Sequence, residues 1–78
     1  MNTAKPRYQQ LKDHIIERIA TGELRASDRV PSEHELVATM NVSRMTANRA
    51  LRELDTEGYV ERVAGRGTFV SDRRSQSH

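Results

Sequence analysis

Apolar residues recur at helical spacing in the first part of the chain. Four of them lie three or four residues apart: Tyr8, Leu11, Ile15 and Ile19. This spacing places them on one face of a helix. Pro6 suits the start of such a helix, because its missing N–H costs nothing in the first turn. Gly22 suits the left-handed position after the last turn. The pattern predicts a first helix over residues 7–21, preceded by a flexible arm over 1–6.

A second, shorter helix is predicted after a connector over residues 23–31. Within the connector, Arg29-Val30 has the composition of a short strand, and Pro31 disfavours helix at Val30. Ser32 and Glu35 have the spacing of a capping box, in which each side chain bonds the backbone N–H of the other residue. The residues expected on the buried side of this helix are Leu36, Val37 and Met40.

The third helix follows after a turn of only three residues. Asn41 tolerates a positive φ and ends the second helix. Ser43 is a second N-cap, and Val42 before it is placed to pack on Ala47 as a hydrophobic staple. A buried stripe then recurs at helical spacing through Ala47, Ala50, Leu51 and Leu54. Gly58 ends the helix.

Beyond Gly58 the period changes to two, which predicts a β-hairpin. Its strands fall in residues 59–63 and 68–70, joined by a turn at 64–67. Residues 72–78 are polar and are expected to be disordered. The order of elements predicts a mainly α fold with a small β-hairpin, a winged helix-turn-helix domain over residues 7–71 with a wing of two or three strands.

The chain has 13 lysines and arginines against 11 acidic residues, a net charge of +2. This total alone does not indicate nucleic acid, but the distribution favours it. Residues 43–52 contain three arginines and no acid, and residues 58–74 contain four arginines against Glu61 and Asp72. Segregated charge of this kind is typical of a face directed at a polyanion, although an ordinary solvated surface also fits.

Two capped helices separated by a short turn are typical of DNA-binding proteins in which the second helix enters the major groove. The candidates for reading bases are Arg44, Met45, Thr46, Asn48 and Arg49, all of which lie off the buried stripe. Arginine pairs with guanine and asparagine with adenine, while threonine contacts a thymine methyl group or a phosphate. The alternative is an ordinary surface helix whose arginines serve solubility.

The predicted wing supplies a second candidate site. Gly65 and Gly67 flank Arg66 and permit positive φ and a close approach of the backbone to a phosphate. Arg66 at the tip suits the minor groove or the phosphate backbone. A plain β-turn that needs its glycines for its own geometry is the alternative, and both interpretations can hold together.

Other chemistry has little support in the sequence. Glu33 and Glu35 form a carboxylate pair, but negative charge is favourable in a first helical turn. His14, His34 and His78 lack metal-ligand spacing, so we expect no metal or cofactor and no enzymatic activity. The absence of cysteine excludes disulfides. No apolar run approaches the roughly 20 residues of a membrane span, so we expect a cytoplasmic protein without a membrane partner.

Several spaced motifs resemble the GntR family of bacterial regulators over about residues 7–71. The motifs are Pro31-Ser32-Glu33-His34-Glu35-Leu36, Val42-Ser43-Arg44-Met45-Thr46, Ala50-Leu51-Arg52-Glu53-Leu54, Glu57-Gly58 and Gly65-Arg66-Gly67-Thr68-Phe69-Val70. The resemblance implies a winged-helix fold that binds a palindromic double-stranded DNA operator as a homodimer. It also implies a C-terminal domain, absent from this chain, that binds a small-molecule effector.

The stretch over residues 43–51 resembles the HutC subgroup, which implies repression of histidine-utilisation genes with urocanate as the effector. The family's DNA contacts would fall on Ser43, Arg44, Thr46, Gly65, Arg66 and Gly67, and Ser32 at the start of the second helix is expected to anchor the DNA. His34 and Asn48 stand where many members have arginine, which is expected to alter the base preference. Two other functions fit a winged helix: a protein-interaction module and a non-specific architectural DNA binder.

Overall fold

The computed structural model describes residues 5–72, which form three helices and three strands. In chain order these are α1 (Arg7–Ala20), β1 (Arg29–Val30), α2 (Glu33–Met40), α3 (Arg44–Thr56), β2 (Val60–Val63) and β3 (Gly67–Val70). The strands make one antiparallel sheet in the order β1-β3-β2. The predicted winged helix-turn-helix is confirmed, with a three-stranded wing. The predictions for residues 1–4 and 73–78, among them His78, lie outside the described residues.

The predicted signals for helix ends are present in the structure. Gly22 has a φ of +87° and its N–H donates to the Ile19 carbonyl. Ser32 and Glu35 form the complete capping box: Glu35 N–H donates to Ser32 Oγ at 3.1 Å, and Ser32 N–H donates to Glu35 Oε1 at 2.8 Å. This backbone donor, helped by the nearby Arg29, lowers the pKa of Glu35. Asn41 adopts a φ of +56°, so the chain reverses sharply between α2 and α3.

The core lies where the three helices and the inner face of the sheet meet. Its buried residues are Leu11, Ile15, Val30, Leu36, Ala47, Ala50, Leu51, Leu54, Val60 and Val70. The prediction that Met40 is buried was wrong, because Met40 is 36% exposed. Met40 is the last residue of α2 and the chain turns at Asn41, so only part of its side chain is covered.

The register of the sheet decides which wing residues face the core. Val60 pairs with Val70 and Arg62 pairs with Thr68. Residues paired directly across antiparallel strands point to the same side of the sheet. Arg62 therefore lies on the core side of the sheet, but nearer the wing tip, where it is exposed. The hairpin thus projects beyond the helices that cover its base.

One charged residue, Lys12, is buried between α1 and α3. Its side chain is only 6% exposed, and Nζ donates to Glu53 Oε1 at 2.9 Å and to Glu57 Oε2 at 2.7 Å. These two carboxylates, Glu57 foremost, raise the pKa of Lys12, although burial opposes them. Two ion pairs therefore join the first helix to the C-terminal end of the third. This contact was not predicted from the sequence, although the i, i+4 spacing of the two glutamates is a signal for it.

Candidate nucleic-acid interface

The first turn of α3 is organised by its N-cap. Ser43 Oγ accepts from the Thr46 N–H at 3.1 Å and donates to Thr46 Oγ1 at 2.9 Å. The hydrogen of the Ser43 hydroxyl is therefore used within the protein, while the Thr46 hydroxyl keeps its own hydrogen to donate outward. The N–H groups of Arg44 and Met45 come too early in the helix to have a partner within it. This helix end offers several donors to an anion.

The predicted recognition residues lie away from the core, as the helical period requires. Arg44 and Met45 are the most exposed, with 83% of the Arg44 side chain and 82% of Met45 accessible. Asn48 is half-buried on the flank of the same face. Arg44 Nε lies 3.7 Å from Glu33 Oε1, a distance that leaves the guanidinium free to move. Arg44, Met45 and Asn48 are thus available to a ligand approaching this end of α3.

Arg49, by contrast, is engaged by two neighbouring side chains, although about half of its own side chain, 52%, stays accessible. Its Nε donates to Glu53 Oε2 at 3.0 Å, and its guanidinium carbon lies 3.8 Å from the centroid of the Tyr8 ring. The Glu53 carboxylate raises the pKa of Arg49. Together with Lys12, Arg49 completes a charged network across the packing of α1 on α3. The sequence grouped Arg49 with Arg44, but the structure gives the two arginines different surroundings.

The tip of the wing is a tight turn shaped by its glycines. The Arg66 N–H donates to the Val63 carbonyl at 3.0 Å, and Gly65 at the third position of this turn has a φ of +78°. Gly67 follows with a φ of +127°. The predicted positive φ values are confirmed: Gly65 within the turn and Gly67 just after it both adopt backbone conformations that favour glycine. Arg66 is exposed between them.

Arg29 connects the wing to the helix-turn-helix. A Cβ at Gly67 would lie 3.5 Å from Arg29 Nε, and Arg29 Nη1 lies 3.9 Å from Glu35 Oε2 in the first turn of α2. The same turn of α2 reaches α3 through Glu33 and Arg44. These successive proximities place the turn end of the wing, at Gly67, and the N-termini of α2 and α3 on one side of the molecule. Ser32 and the exposed His34 belong to the same α2 terminus.

Three exposed arginines at this surface were not among the predicted site residues. Arg29 is one, and its position depends on the pairing of β1 with β3, which local sequence does not specify. Arg52 lies two turns after Met45 on the outward side of α3, so the helical period was a signal for it. Arg62 needed the register of the hairpin. Within residues 5–72, the side chains of Arg52 and Arg62 make no hydrogen bond or ion pair.

We find no arrangement typical of a metal centre in the part of the chain that the structure describes. No group of three or more histidine, aspartate or glutamate side chains there is placed to hold an ion. No helix between residues 5 and 72 has both the length and the apolar character that a membrane crossing requires.

The fold and this surface together define a winged helix-turn-helix protein with a cationic recognition helix. The family of bacterial regulatory proteins described as the gntR family matches residues 7–70, and the chain belongs to this family. The resemblance noted in the sequence is therefore confirmed.

Two relatives carry the same name. The chain is 53% identical over 72 residues to the histidine utilization repressor of Klebsiella aerogenes, a match that covers 92% of this chain and 30% of that protein. It is 47% identical over 72 residues to the histidine utilization repressor of Pseudomonas aeruginosa, covering 92% and 29%. The chain thus spans less than a third of the length of either repressor.

A solved structure supplies a comparison in the presence of DNA. The DNA-binding domain of AraR, crystallised in complex with operator ORR3, superposes with a TM-score of 0.87 at 34% sequence identity. The match covers 91% of this chain and 86% of that chain. This neighbour is a winged-helix domain of nearly the same extent as the present chain.

Proposed function

We propose that this chain is the DNA-reading domain of a transcriptional repressor and binds a specific operator. The observation that carries the proposal is the set of proximities described above, by which the turn end of the wing, the α2 N-terminus and the α3 N-terminus lie on one side of the molecule. Two DNA-contacting elements on one side are what a winged helix needs to engage a groove and its flanking backbone at once. The operator complex of AraR and the names of the two repressors support the same function.

In this proposal the first two turns of α3 enter the major groove. Arg44 pairs with guanine, because its guanidinium is exposed and only loosely engaged. Asn48 pairs with adenine, and Thr46 donates its free hydroxyl hydrogen to a phosphate or contacts a base. Ser43 acts by orienting Thr46. Arg49, held by Glu53 and Tyr8, contributes its charge to the backbone at the edge of the groove.

The remaining contacts anchor the domain on the DNA backbone. Ser32 and His34 at the start of α2 face the phosphates that border the major groove, and Arg66 reaches the backbone or the minor groove beside it. Gly65 and Gly67 let the wing tip approach closely. Backbone contacts fix the orientation of the domain, while the side chains of α3 carry the sequence information. The function is binding, with no catalytic step, and takes place in the cytoplasm.

The regulatory role is proposed from the relatives. We propose that the whole protein is a homodimer that binds a palindromic operator of histidine-utilisation genes, and that it releases the operator when a C-terminal domain binds urocanate. The names of the Klebsiella aerogenes and Pseudomonas aeruginosa relatives support this role. Two-fold symmetry in the protein requires matching symmetry in the half-sites.

Selection of bound duplexes from random DNA, followed by affinity measurements on the selected site, tests the proposal. Arg44→Ala should weaken binding by about 5- to 150-fold, the value of one bidentate pair, and relax one position of the site. Arg25→Ala is a matched control, since Arg25 lies beside Asp28 at the end of β3 opposite the wing tip. Binding by Arg44→Ala with wild-type affinity would refute the docking of α3.

The same measurements separate the two alternative functions. A protein-interaction module would bind DNA weakly and with little salt dependence, whereas phosphate recognition gives a slope near −0.9 per neutralised phosphate in a plot of log affinity against log salt. A non-specific architectural binder would show this slope but no enriched sequence in the selection. A specific operator protein shows both the slope and the enrichment.

A further inference from the structure

Met45 is a large apolar residue that the fold leaves in water. It is 82% exposed, more than twice the exposure of Met40, the other large apolar residue that is exposed within residues 5–72. It is the second residue of α3 and lies opposite the buried stripe of Ala47, Ala50 and Leu51. No packing requirement explains an apolar side chain there, and a polar residue would cost the folded protein nothing.

We infer that Met45 reads the 5-methyl group of a thymine in the operator. The inference rests on the proposed function, because it requires α3 to lie in the major groove. Thymine is the one DNA base that carries a methyl group on this edge, and apolar side chains recognise it by contact. The thioether of methionine is flexible and polarisable, so it adapts to such a contact.

The surroundings of Met45 favour a base contact over a backbone contact. Helical side chains lean toward the N-terminus, so Met45 covers the end of α3 that leads into the groove. The residues on either side, Arg44 and Thr46, and Asn48 one turn further, provide hydrogen-bond donors for phosphates and polar base edges. Met45 has no donor to offer and its sulfur is only a weak acceptor, so apolar contact with the base is the main contribution that it can make to affinity.

The test uses the selected operator with each thymine replaced in turn by deoxyuridine, which removes the methyl group and keeps the base pair. For the wild-type chain, one thymine position in each half-site should be sensitive to the replacement. Loss of its methyl group should lower affinity by about fourfold, the effect of burying one methyl group. Met45→Ala should bind the unmodified operator about as weakly as the wild type binds an operator in which that thymine is replaced in every half-site that the chain occupies. Its affinity should not fall further when that thymine is replaced.

Two further variants make the test specific. Met45→Leu keeps an apolar contact and should remain sensitive to deoxyuridine at the same position. Arg44→Ala should bind more weakly overall and keep the full sensitivity to that replacement. Thermal unfolding of Met45→Ala should match that of the wild type, since an exposed side chain contributes little to stability.

The outcomes distinguish this inference from the function on which it rests. If the wild type selects a specific site but no thymine methyl affects binding, or if Met45→Ala keeps the fourfold sensitivity, the inference is overturned and the proposed function stands. If the wild type selects no sequence at all, the proposed function itself fails.

Discussion

The buried lysine between α1 and α3 leads to a quantitative prediction about stability. Lys12→Met removes the ammonium group and retains most of the apolar stem, so that the two ion pairs are lost with little change in packing. Nζ lies 2.9 Å from Glu53 and 2.7 Å from Glu57, and the lysine side chain is 6% exposed. The variant therefore isolates the contribution of the charge.

The magnitude follows from what the substitution leaves behind. Breaking a buried pair costs about 3–5 kcal/mol when the remaining charge stays buried and unpaired, and an exposed pair contributes about 0–1 kcal/mol. Here the remaining carboxylates are 31% and 44% exposed, and Arg49 still pairs with Glu53. Water can therefore solvate them once the lysine is gone. We expect Lys12→Met to lower the free energy of unfolding by about 1–2 kcal/mol, between the two limits.

Urea unfolding followed by circular dichroism at pH 7 measures this loss. The slope of the unfolding free energy against urea concentration should stay unchanged, which shows that the substitution has not altered the compactness of the folded or unfolded state. In a domain of this size each kcal/mol lowers the melting temperature by roughly 4–8 °C. Lys5→Met is a matched control: its pair with Asp13 is shorter, at 2.6 Å, but both side chains are well exposed, so the urea midpoint should barely change. A Lys12→Met variant as stable as the wild type would show that desolvation of the lysine cancels its ion pairs, and the reasoning would be refuted.

Three further predictions concern acid stability and the wing. Lys12 first and Arg49 second lower the pKa of Glu53. The ionised carboxylate therefore stabilises the fold at pH values above the ordinary glutamate pKa of about 4.3, and this contribution is lost as the pH falls through the lower pKa of the folded state. The urea midpoint should drop between pH 5 and pH 3, and it should drop less in Glu53→Gln. Gly65→Ala should destabilise the domain by about 1 kcal/mol through the positive φ of this position alone, since no atom lies within 4 Å of the added Cβ. A much larger loss of unfolding free energy, measured by urea unfolding, would indicate a clash instead. Arg66→Ala should weaken binding similarly across DNA sequences and reduce the salt slope by about 0.9; an unchanged slope in titrations at several salt concentrations would exclude a phosphate contact by Arg66.

Much of the fold was readable from local sequence because local physics specifies it. Ser32 and Glu35 form a capping box from residues three apart, and Ser43 caps α3 in the same way, so each helix start is encoded within one turn. The change of period from helical to alternating after Gly58 marked the wing. The apolar stripes predicted the core, with Met40 as the exception. Met40 is the last residue of its helix, so no following turn packs over its side chain, and the helical period alone does not show this.

The candidate site was only partly readable in this way. The exposure of Arg44 and Met45 follows from their positions on α3 and was expected. The engagement of Arg49 with Tyr8 joins residues 41 positions apart, and the proximity of Arg29 to Gly67 depends on the pairing of β1 with β3. No local pattern specifies contacts between segments so distant in the chain.

By itself, the sequence determined the order and ends of the helices, the wing turn and the residue types available for reading DNA, because each depends on neighbours within one or two turns. The tertiary structure decided which of those residues remain free. It buried Lys12 between two glutamates, held Arg49 against Tyr8, and left Arg44 and Met45 in solvent. Packing brings together charges that are distant in the sequence, and their pairing offsets the cost of removing them from water. Only the packed structure shows that Arg49 contacts Tyr8 of another helix while Arg44 stays available to a ligand.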